Sequence, residues 1–408
     1  MSKFLWTQRS NYGPSPRAGS ALCFDSHRNR TVLFGGSSLT NGLHGDTWEW
    51  DGSFWIQLAD TGPFARALSA MVYDSTRQIS VLFSGIGTAN AGDTWQWDGS
   101  DWTQLSESGP GARSSHAMAY DTSRSRTILF GGVGDSLLGD TWEFDGEDWT
   151  QVQDAGPSAR ESHCMAYDSV GKRVILFAGR ERNNAPLNDT WAWDGQEWVQ
   201  LGEFGPPPRF SAAMSSTGGT LVLFGGGTAS DPVSSQIFAD TWEFDGKLWT
   251  QVQDIGPGPL QGSSAAFDSA RGRAMLFGGI TTFIAPDGTK PANSGFTWEA
   301  PVTAAVAPPA PVAVASIVVP PNVVSEQPTT MTINLTGPAP QGGAVVNFTG
   351  PIVEPDGSGT NRGPVTISAG LASTNFVAAF AGPPGSIQKF TAQIAGTPAV
   401  TTTVVLTP

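Results

Sequence analysis

Residues 128–152, ILFGGVGDSLLGDTWEFDGEDWTQV, carry the architecture of the first three hundred positions. An apolar run, Ile128-Leu129-Phe130, stops at Gly131-Gly132. A second strand-like segment follows at Asp140-Thr141-Trp142-Glu143-Phe144, and Trp149-Thr150-Gln151 begins a third. Asp145-Gly146 separates the last two, and that dipeptide suits a type I′ hairpin because Gly accepts positive φ without steric cost. Upstream, His116-Ala117-Met118-Ala119-Tyr120 supplies one more short strand. Four strand signals alternating with turn signals read as one four-stranded antiparallel sheet.

The unit repeats. Asp-Thr-Trp begins at Asp46, Asp93, Asp140, Asp189 and Asp240, with a degenerate copy at Phe296-Thr297-Trp298, at spacings of 47 to 56 residues. The apolar run ending in small residues recurs at 32–36, 81–85, 128–132, 175–179, 222–226 and 275–279. Two independent markers therefore count six units. Asp-Gly returns at Asp51, Asp98, Asp145, Asp194 and Asp245, and a fourth-strand Trp at Trp55, Trp102, Trp149, Trp198 and Trp249. Nothing comparable follows Trp298, but Trp6-Thr7-Gln8 precedes Gly13-Pro14 and Arg17 just as Trp102-Thr103-Gln104 precedes Gly109-Pro110 and Arg113. The N-terminal strand thus completes the last sheet and closes the ring, which removes exposed sheet edges. The reading is an all-β, six-bladed propeller over residues 1–300 with its N-terminal strand as latch.

The paired glycines after an apolar strand, the Trp strand that follows and the second Trp resemble the kelch repeat, from residue 4 to about residue 300. Residues 301–315, rich in Pro, Ala and Val, read as a linker. In 316–408, short β-rich runs at 316–319, 330–335, 344–348, 365–368, 375–380, 388–394 and 400–406 read as a small sandwich. The segment 335–343, LTGPAPQGG, resembles a loop common in bacterial immunoglobulin-like domains, which implies an immunoglobulin-like β-sandwich. The chain stops directly after the last of these runs, which leaves open a longer native protein.

Composition agrees with this organisation. At 408 residues the length suits two or three domains, and only 14% of residues are charged while Gly reaches 50, Pro 30 and Trp 15. A coiled coil, a charged disordered chain and a helical bundle are excluded. A net charge of −14 repels a phosphate backbone, so no nucleic-acid partner is expected. No apolar run is long enough for a membrane helix, so no membrane insertion is expected. Cys23 and Cys164 fall in inner strands of units one and four, opposite each other in a six-fold ring. A bridge needs Cα atoms within about 7 Å, so both are expected as free, largely buried thiols. No signal peptide is visible at the N-terminus.

Alignment of the units assigns the remaining residues. Tyr73, Tyr120 and Tyr167 share a slot with Phe24 and Phe267, and Met71, Met118, Met165 and Met214 share one with Leu22; both slots read as core packing. Arg17, Arg66, Arg113, Arg160 and Arg209 begin the inner strands, with Leu260 in the sixth place. Six residues before them stand Asp60, Glu107, Asp154, Glu203 and Asp254, the last of these before Leu260. Two readings are open: ion pairs that fix the loops, or arginines lining a channel mouth that takes an anion. His116 and His163 occupy one slot in adjacent units, where Ser20, Ser69 and Ser263 stand elsewhere. A structural role and a metal or acid–base role are both open for them, and no third metal ligand is evident.

The connections between the glycine pair and the next marker measure 9, 7, 7, 9, 13 and 16 residues. Long connections on a rigid scaffold are where binding usually resides. The candidate ligand-binding residues are Arg180, Glu181, Arg182 and Asn183 in unit four, Asp231, Gln236 and Phe238 in unit five, and Phe283, Asp287, Lys290 and Asn293 in unit six.

The domain order resembles that of copper-radical galactose oxidases, but 316–408 contain no His and the tyrosines other than Tyr12 occupy core slots. Similarity to sialate-epimerase-like kelch enzymes implies an arginine-lined sugar site and remains the enzymatic alternative. No Ser-His-Asp spacing and no phosphate loop are present. The preferred expectation is a non-catalytic binding module, without cofactor or metal, that engages a protein or glycan through its loop-rich face. The sandwich then acts as spacer and the protein is a monomer. An extracellular or cell-surface location goes with that reading, and a cytoplasmic or virion scaffold is the alternative.

Overall fold

The computed structural model describes residues 5–10, 12–59, 61–87, 91–106, 109–153, 155–202, 204–229, 236–253, 256–281, 292–302, 314–320, 323–324, 329–335, 344–349, 352–353, 365–367, 373–380, 386–394 and 400–407. The chain divides into two compact units, Met1–Ala305 and Val306–Pro408. Most of the expected linker, 303–313, lies outside the described residues. Among the described residues no helix is long and apolar enough to cross a membrane.

The first unit contains six four-stranded antiparallel sheets. Sheet 1 is Ala21–Asp25, Arg30–Phe34, Thr47–Trp50 and Trp55–Ala59, and sheet 2 is Ala70–Asp74, Ile79–Phe83, Thr94–Trp97 and Trp102–Ser106. Sheet 3 is Ala117–Asp121, Arg126–Val133, Leu137–Phe144 and Trp149–Gln153, and sheet 4 is Cys164–Asp168, Arg173–Phe177, Thr190–Trp193 and Trp198–Gly202. Sheet 5 is Ala213–Ser216, Leu221–Phe224, Thr241–Phe244 and Trp249–Gln253. Sheet 6 takes Ser264–Asp268, Arg273–Phe277 and Thr297–Pro301 from the end of the unit and Thr7–Ser10 from its start. The six inner strands neighbour one another in a closed cycle.

The second strands are continuous apolar runs because both faces are covered by neighbouring sheets: Val32, Leu33 and Phe34 are buried, as are Val81, Leu82 and Phe83. Every sheet carries a one-residue slip between its third and fourth strands at the Thr-Trp step. Sheet 6 slips at the same step, with Gln8 opposite Trp298 and Ser10 opposite Thr297, so the N-terminal segment takes the place of a fourth strand.

The repeated residues form the joints between sheets. Each fourth-strand indole donates to the Asp-Thr-Trp hydroxyl of the preceding sheet: Trp55 to Thr297, Trp102 to Thr47, Trp149 to Thr94, Trp198 to Thr141, Trp249 to Thr190 and Trp6 to Thr241, at 2.7–3.0 Å. Gly13 lies flat on Trp55, where a Cβ would come within 2.5 Å of the ring, which explains a glycine before the proline. A third joint follows a code at five of the six interfaces, the exception being Glu243, after which the next sheet carries Ala300. Where one sheet carries Glu299, Glu49 or Glu143, the next carries Trp50, Trp97 or Trp193, whose Nε1 donates to that carboxylate at 3.0, 3.2 and 3.4 Å. Where the preceding residue is Gln96 or Ala192, the corresponding place holds Phe144 or Phe244, which needs no acceptor. Arg28, Arg124 and Arg271 pair with the same three carboxylates.

The Asp-Gly turns differ from the expected type I′ hairpin. Trp50 pairs with Trp55, so four residues make the connection, and only Gly52, at φ 102, is in positive φ. Asp51 Oδ1 instead accepts from the Ser53 and Phe54 N–H groups at 2.7 and 2.8 Å, an Asx-type turn. The glycine is required by its φ of 102°, and Arg271 of the neighbouring sheet lies against it and donates to Gly52 O at 3.2 Å.

The second unit consists of a four-stranded and a five-stranded sheet. Val314, Ile317, Met331, Ile333 and Leu335 from the first share one buried core with Val323, Val346, Ile367, Ala392 and Leu406 from the second. Each of the seven β-rich runs read from the sequence contains a strand, and Val323–Val324 and Ile352–Val353 add two short ones. Residues 336–343, the loop compared with immunoglobulin-like domains, lie outside the described residues.

Candidate functional site

The candidate site is built where the inner strands begin. The residue after each Arg of the Gly-Pro loop, or after Leu260 in unit six, forms an isolated bridge with the residue after the glycine pair: Ala18 with Ser37, Ala67 with Ile86, Ser114 with Val133, Glu161 with Arg180, Phe210 with Gly227 and Gln261 with Ile280. Most of these residues surround a funnel of about 550 Å3. One side is apolar, with Leu68 and Ile86 each 41% exposed. The other is polar: Arg180 contacts Glu161 at 3.0 Å and lies over the Phe210 ring at 4.6 Å, and beside them Gln261 Oε1 is buried without a partner.

The floor of the funnel is a closed circle of backbone hydrogen bonds. Gly19 N donates to Gly262 O, Gly262 to Ser211, Ser211 to Ser162, Ser162 to Ser115, Ser115 to Leu68, and Leu68 back to Gly19, at 2.8–2.9 Å. All six residues hold φ between 51° and 69°, although four of them are not glycine. Left-handed φ at a non-glycine residue costs about 1 kcal/mol or more. The circle satisfies six N–H groups facing the axis that would otherwise be unpaired.

The expected arginine site is corrected here. Arg17, Arg66, Arg113, Arg160 and Arg209 are at most 2% exposed and line no channel mouth. Arg17 donates in fork fashion to Asp46 at 2.5 and 3.0 Å and also to the Gly35 and Ser15 carbonyls. Arg66, Arg113, Arg160 and Arg209 hold Asp93, Asp140, Asp189 and Asp240 in the same way. The guanidinium donors are thereby consumed within the scaffold. Burial pushes the carboxyls of Asp46, Asp93, Asp140 and Asp189 up, but the arginine and the indole two residues on together outweigh it and hold them below the usual range. The acids expected as partners, Asp60, Glu107, Asp154, Glu203 and Asp254, lie outside the described residues. A signal for the true partner was present. Unit six replaces the Arg by Leu260 and the marker Asp by Phe296 together, while retaining Asp254.

His116 and His163 do come together. They line a small chamber of about 120 Å3 beneath the backbone circle, with Ser20, Ser69 and Ser263. Neither imidazole has a side-chain hydrogen-bond partner; each reaches only the backbone of the phenylalanine whose ring it packs edge-on at 5.5 Å, His116 that of Phe83 and His163 that of Phe130. Burial, aided by Arg113 and Arg160, pushes both down to about 3, so both are neutral at pH 7. Among the described residues no group of three or more His, Cys, Asp or Glu is placed to hold a metal ion.

The loop candidates divide. Arg180 is in the funnel wall, and Arg182 and Asn183 stand exposed at the tip of the loop that continues from it, with Glu181 half-buried beside them. Gln236 is exposed in the unit-five loop, its N–H bonded to Thr228 Oγ1 at 3.0 Å. Phe238 is corrected: it is 9% exposed and lies 4.0 Å under the Arg209 guanidinium, so it packs the scaffold. Asn293 accepts from Leu39 N at 2.7 Å and ties the sixth loop to the first. Asp231, Phe283, Asp287 and Lys290 lie outside the described residues. Residues overlooked in the sequence are Glu161, Phe210 and Gln261, each following the Arg position by one, where the series Ala18, Ala67, Ser114 gives way to larger side chains.

The thiols of Cys23 and Cys164 are free and buried, and desolvation pushes each up to about 12.

Comparison with known proteins supports a kelch-type propeller for the first unit. The model of the KLHDC2/KLHL20/DRC7 Kelch-repeats domain matches residues 146–324. Among solved structures, the chain is similar to one titled "Structure of YjhT", with 11% sequence identity and a TM-score of 0.55, over 70% of this chain and 95% of that one. At that identity the likeness carries the fold alone. No curated protein matches the chain.

Proposed function

We propose that the first unit is a six-bladed kelch-type propeller acting as a non-catalytic binding module, and that its partner is a protein segment seated in the loop-face funnel. The observation that carries this reading is the composition of that funnel. Leu68 and Ile86 offer an open apolar wall, and two sheets away round the circle Gln261 presents a buried acceptor without a donor. A peptide meets both demands, with apolar side chains against the first and a backbone N–H for the second. Protein binding is also what the kelch resemblance implies. The second unit, read as an immunoglobulin-like sandwich, serves as spacer, and an extracellular or cell-surface location goes with this arrangement. The reading as an enzyme on carboxylated sugars loses the feature that motivated it, because the five arginines are spent on aspartates.

The test is selection of a displayed random-peptide library on the immobilised full chain, with a glycan array in parallel. Enriched peptides should bind at least roughly tenfold more weakly to Ile86→Arg and to Gln261→Leu, both with unchanged melting temperature. Peptides indifferent to both substitutions, or glycan binding without peptide binding, overturn the reading.

A further inference from the structure

The inner strands present alternate residues to the axis, so each contributes a vertical stripe below the backbone circle. Three layers result. The uppermost is polar: Ser20, Ser69, His116, His163 and Ser263. The next is Leu22, Met71, Met118, Met165, Met214 and Ala265, and below it stand Phe24, Tyr73, Tyr120, Tyr167, Ser216 and Phe267. The two lower layers surround a second, open cavity of about 420 Å3 that follows the polar chamber along the inner strands, and hydroxyls including Ser26, Ser75 and Thr122 line its far end. Both slots read as plain core in the sequence therefore also wall a space.

The polar layer demands an occupant. With one contact from each imidazole going to the backbone of Phe83 or Phe130, at least one ring nitrogen of His116, one of His163 and Ser263 Oγ remain buried there without a partner. Leaving one such group unpaired costs about 1–3 kcal/mol. The layer carries no net charge to match an ion, since Arg113 and Arg160 behind the imidazoles are each paired with an aspartate. A charged group placed there would be desolvated without compensation. The thioether layer is the opposite in character, flexible and apolar, and adapts to irregular shapes.

We propose that the bore below the circle is a binding site for a small neutral amphiphile, its hydrogen-bonding head among His116, His163 and Ser263 and its apolar body against the methionine and aromatic layers. This site is on the opposite side of the backbone circle from the funnel and is independent of the peptide-binding reading.

Methionine methyl groups report on it directly. The chain has 7 Met, of which Met71, Met118, Met165 and Met214 line the bore, while Met275 and Met331 are buried elsewhere. The full chain, labelled with 13C at the methionine methyls and assigned by single Met→Leu changes, is titrated with octan-1-ol, octanoate and octylammonium. Octan-1-ol should move the four bore resonances saturably and leave Met275 and Met331 in place, and the two ions should bind at least roughly tenfold more weakly. Met118→Trp, which fills the cavity, should abolish the response, and His116→Leu should erode the preference for the alcohol. An unresponsive wild-type bore, equal shifts at Met275 and Met331, or equal binding of the ions overturns the proposal, whatever the variants do.

Discussion

Acidification from pH 7 to pH 5 should weaken the first unit through two residues, His116 and His163. Burial pushes each down to about 3 from the ordinary imidazole value of 6.5. The native imidazoles stay neutral across this range while the unfolded ones take up protons, so stability rises with pH between the two values and is lost as pH falls from 6.5 toward 3. At pH 5, about 1.5 pH units below the unfolded value, each contributes a loss of about 2 kcal/mol, or about 4 kcal/mol together. The paired aspartates do not confuse the window: they are held below 3.8, so their contribution persists above that value and disappears only at lower pH. The control is His116→Ser/His163→Ser, because Ser occupies this slot at Ser20, Ser69 and Ser263. Urea unfolding followed by tryptophan emission reads the first unit alone, since all 15 Trp lie within it. The wild type should lose about 4 kcal/mol more than the double variant between pH 7 and pH 5. Equal losses in the two proteins would refute buried, neutral imidazoles.

Three other outcomes follow from the joints and the buried thiols. Thr241→Val removes the hydroxyl that accepts from the Trp6 indole and should cost about 1–3 kcal/mol in urea unfolding, as much as the equivalent Thr141→Val in the interior of the ring, if Thr7–Ser10 is a full member of sheet 6. Glu143→Ala and Trp193→Phe should each destabilise, and a double-mutant cycle should return a coupling of about 0.5–3 kcal/mol; additivity would deny the Glu–Trp joint. Cys23 and Cys164, buried and held protonated at up to about 12, should resist iodoacetamide at pH 8 in the native protein and react once it is unfolded in urea, as read by mass spectrometry.

The architecture was legible because every joint needs the same few residue types in every unit. A Thr hydroxyl, an indole and a glycine under that indole recur because each sheet meets the next in the same way. The partner of the arginine ring was not, because two acids each recur in five of the six units, and only Asn11 six residues before Arg17 and the paired loss at Leu260 and Phe296 separate them. The Met118 and Tyr120 slots were read as core packing, although alternation puts both on one face with His116. Alternation did not say whether that face meets a neighbouring sheet or the axis, and in the structure it meets the axis. The Asp-Gly turn was misread because the dipeptide supports several connections, and here the Asp51 side chain bonding two residues ahead selects the longer one. Phe238 was assigned to ligand from loop length alone, yet a planar cation beneath the loop claims its ring.

The loop-face funnel is tested most directly by photo-crosslinking. A benzophenone side chain placed at Ile86 in the funnel wall is compared with one at Val170, 70% exposed in the turn at the far end of an inner strand of sheet 4. With a selected peptide present, crosslinks should form from position 86 and not from position 170. Crosslinks from 170 alone, or from both positions alike, would contradict a partner seated in the funnel.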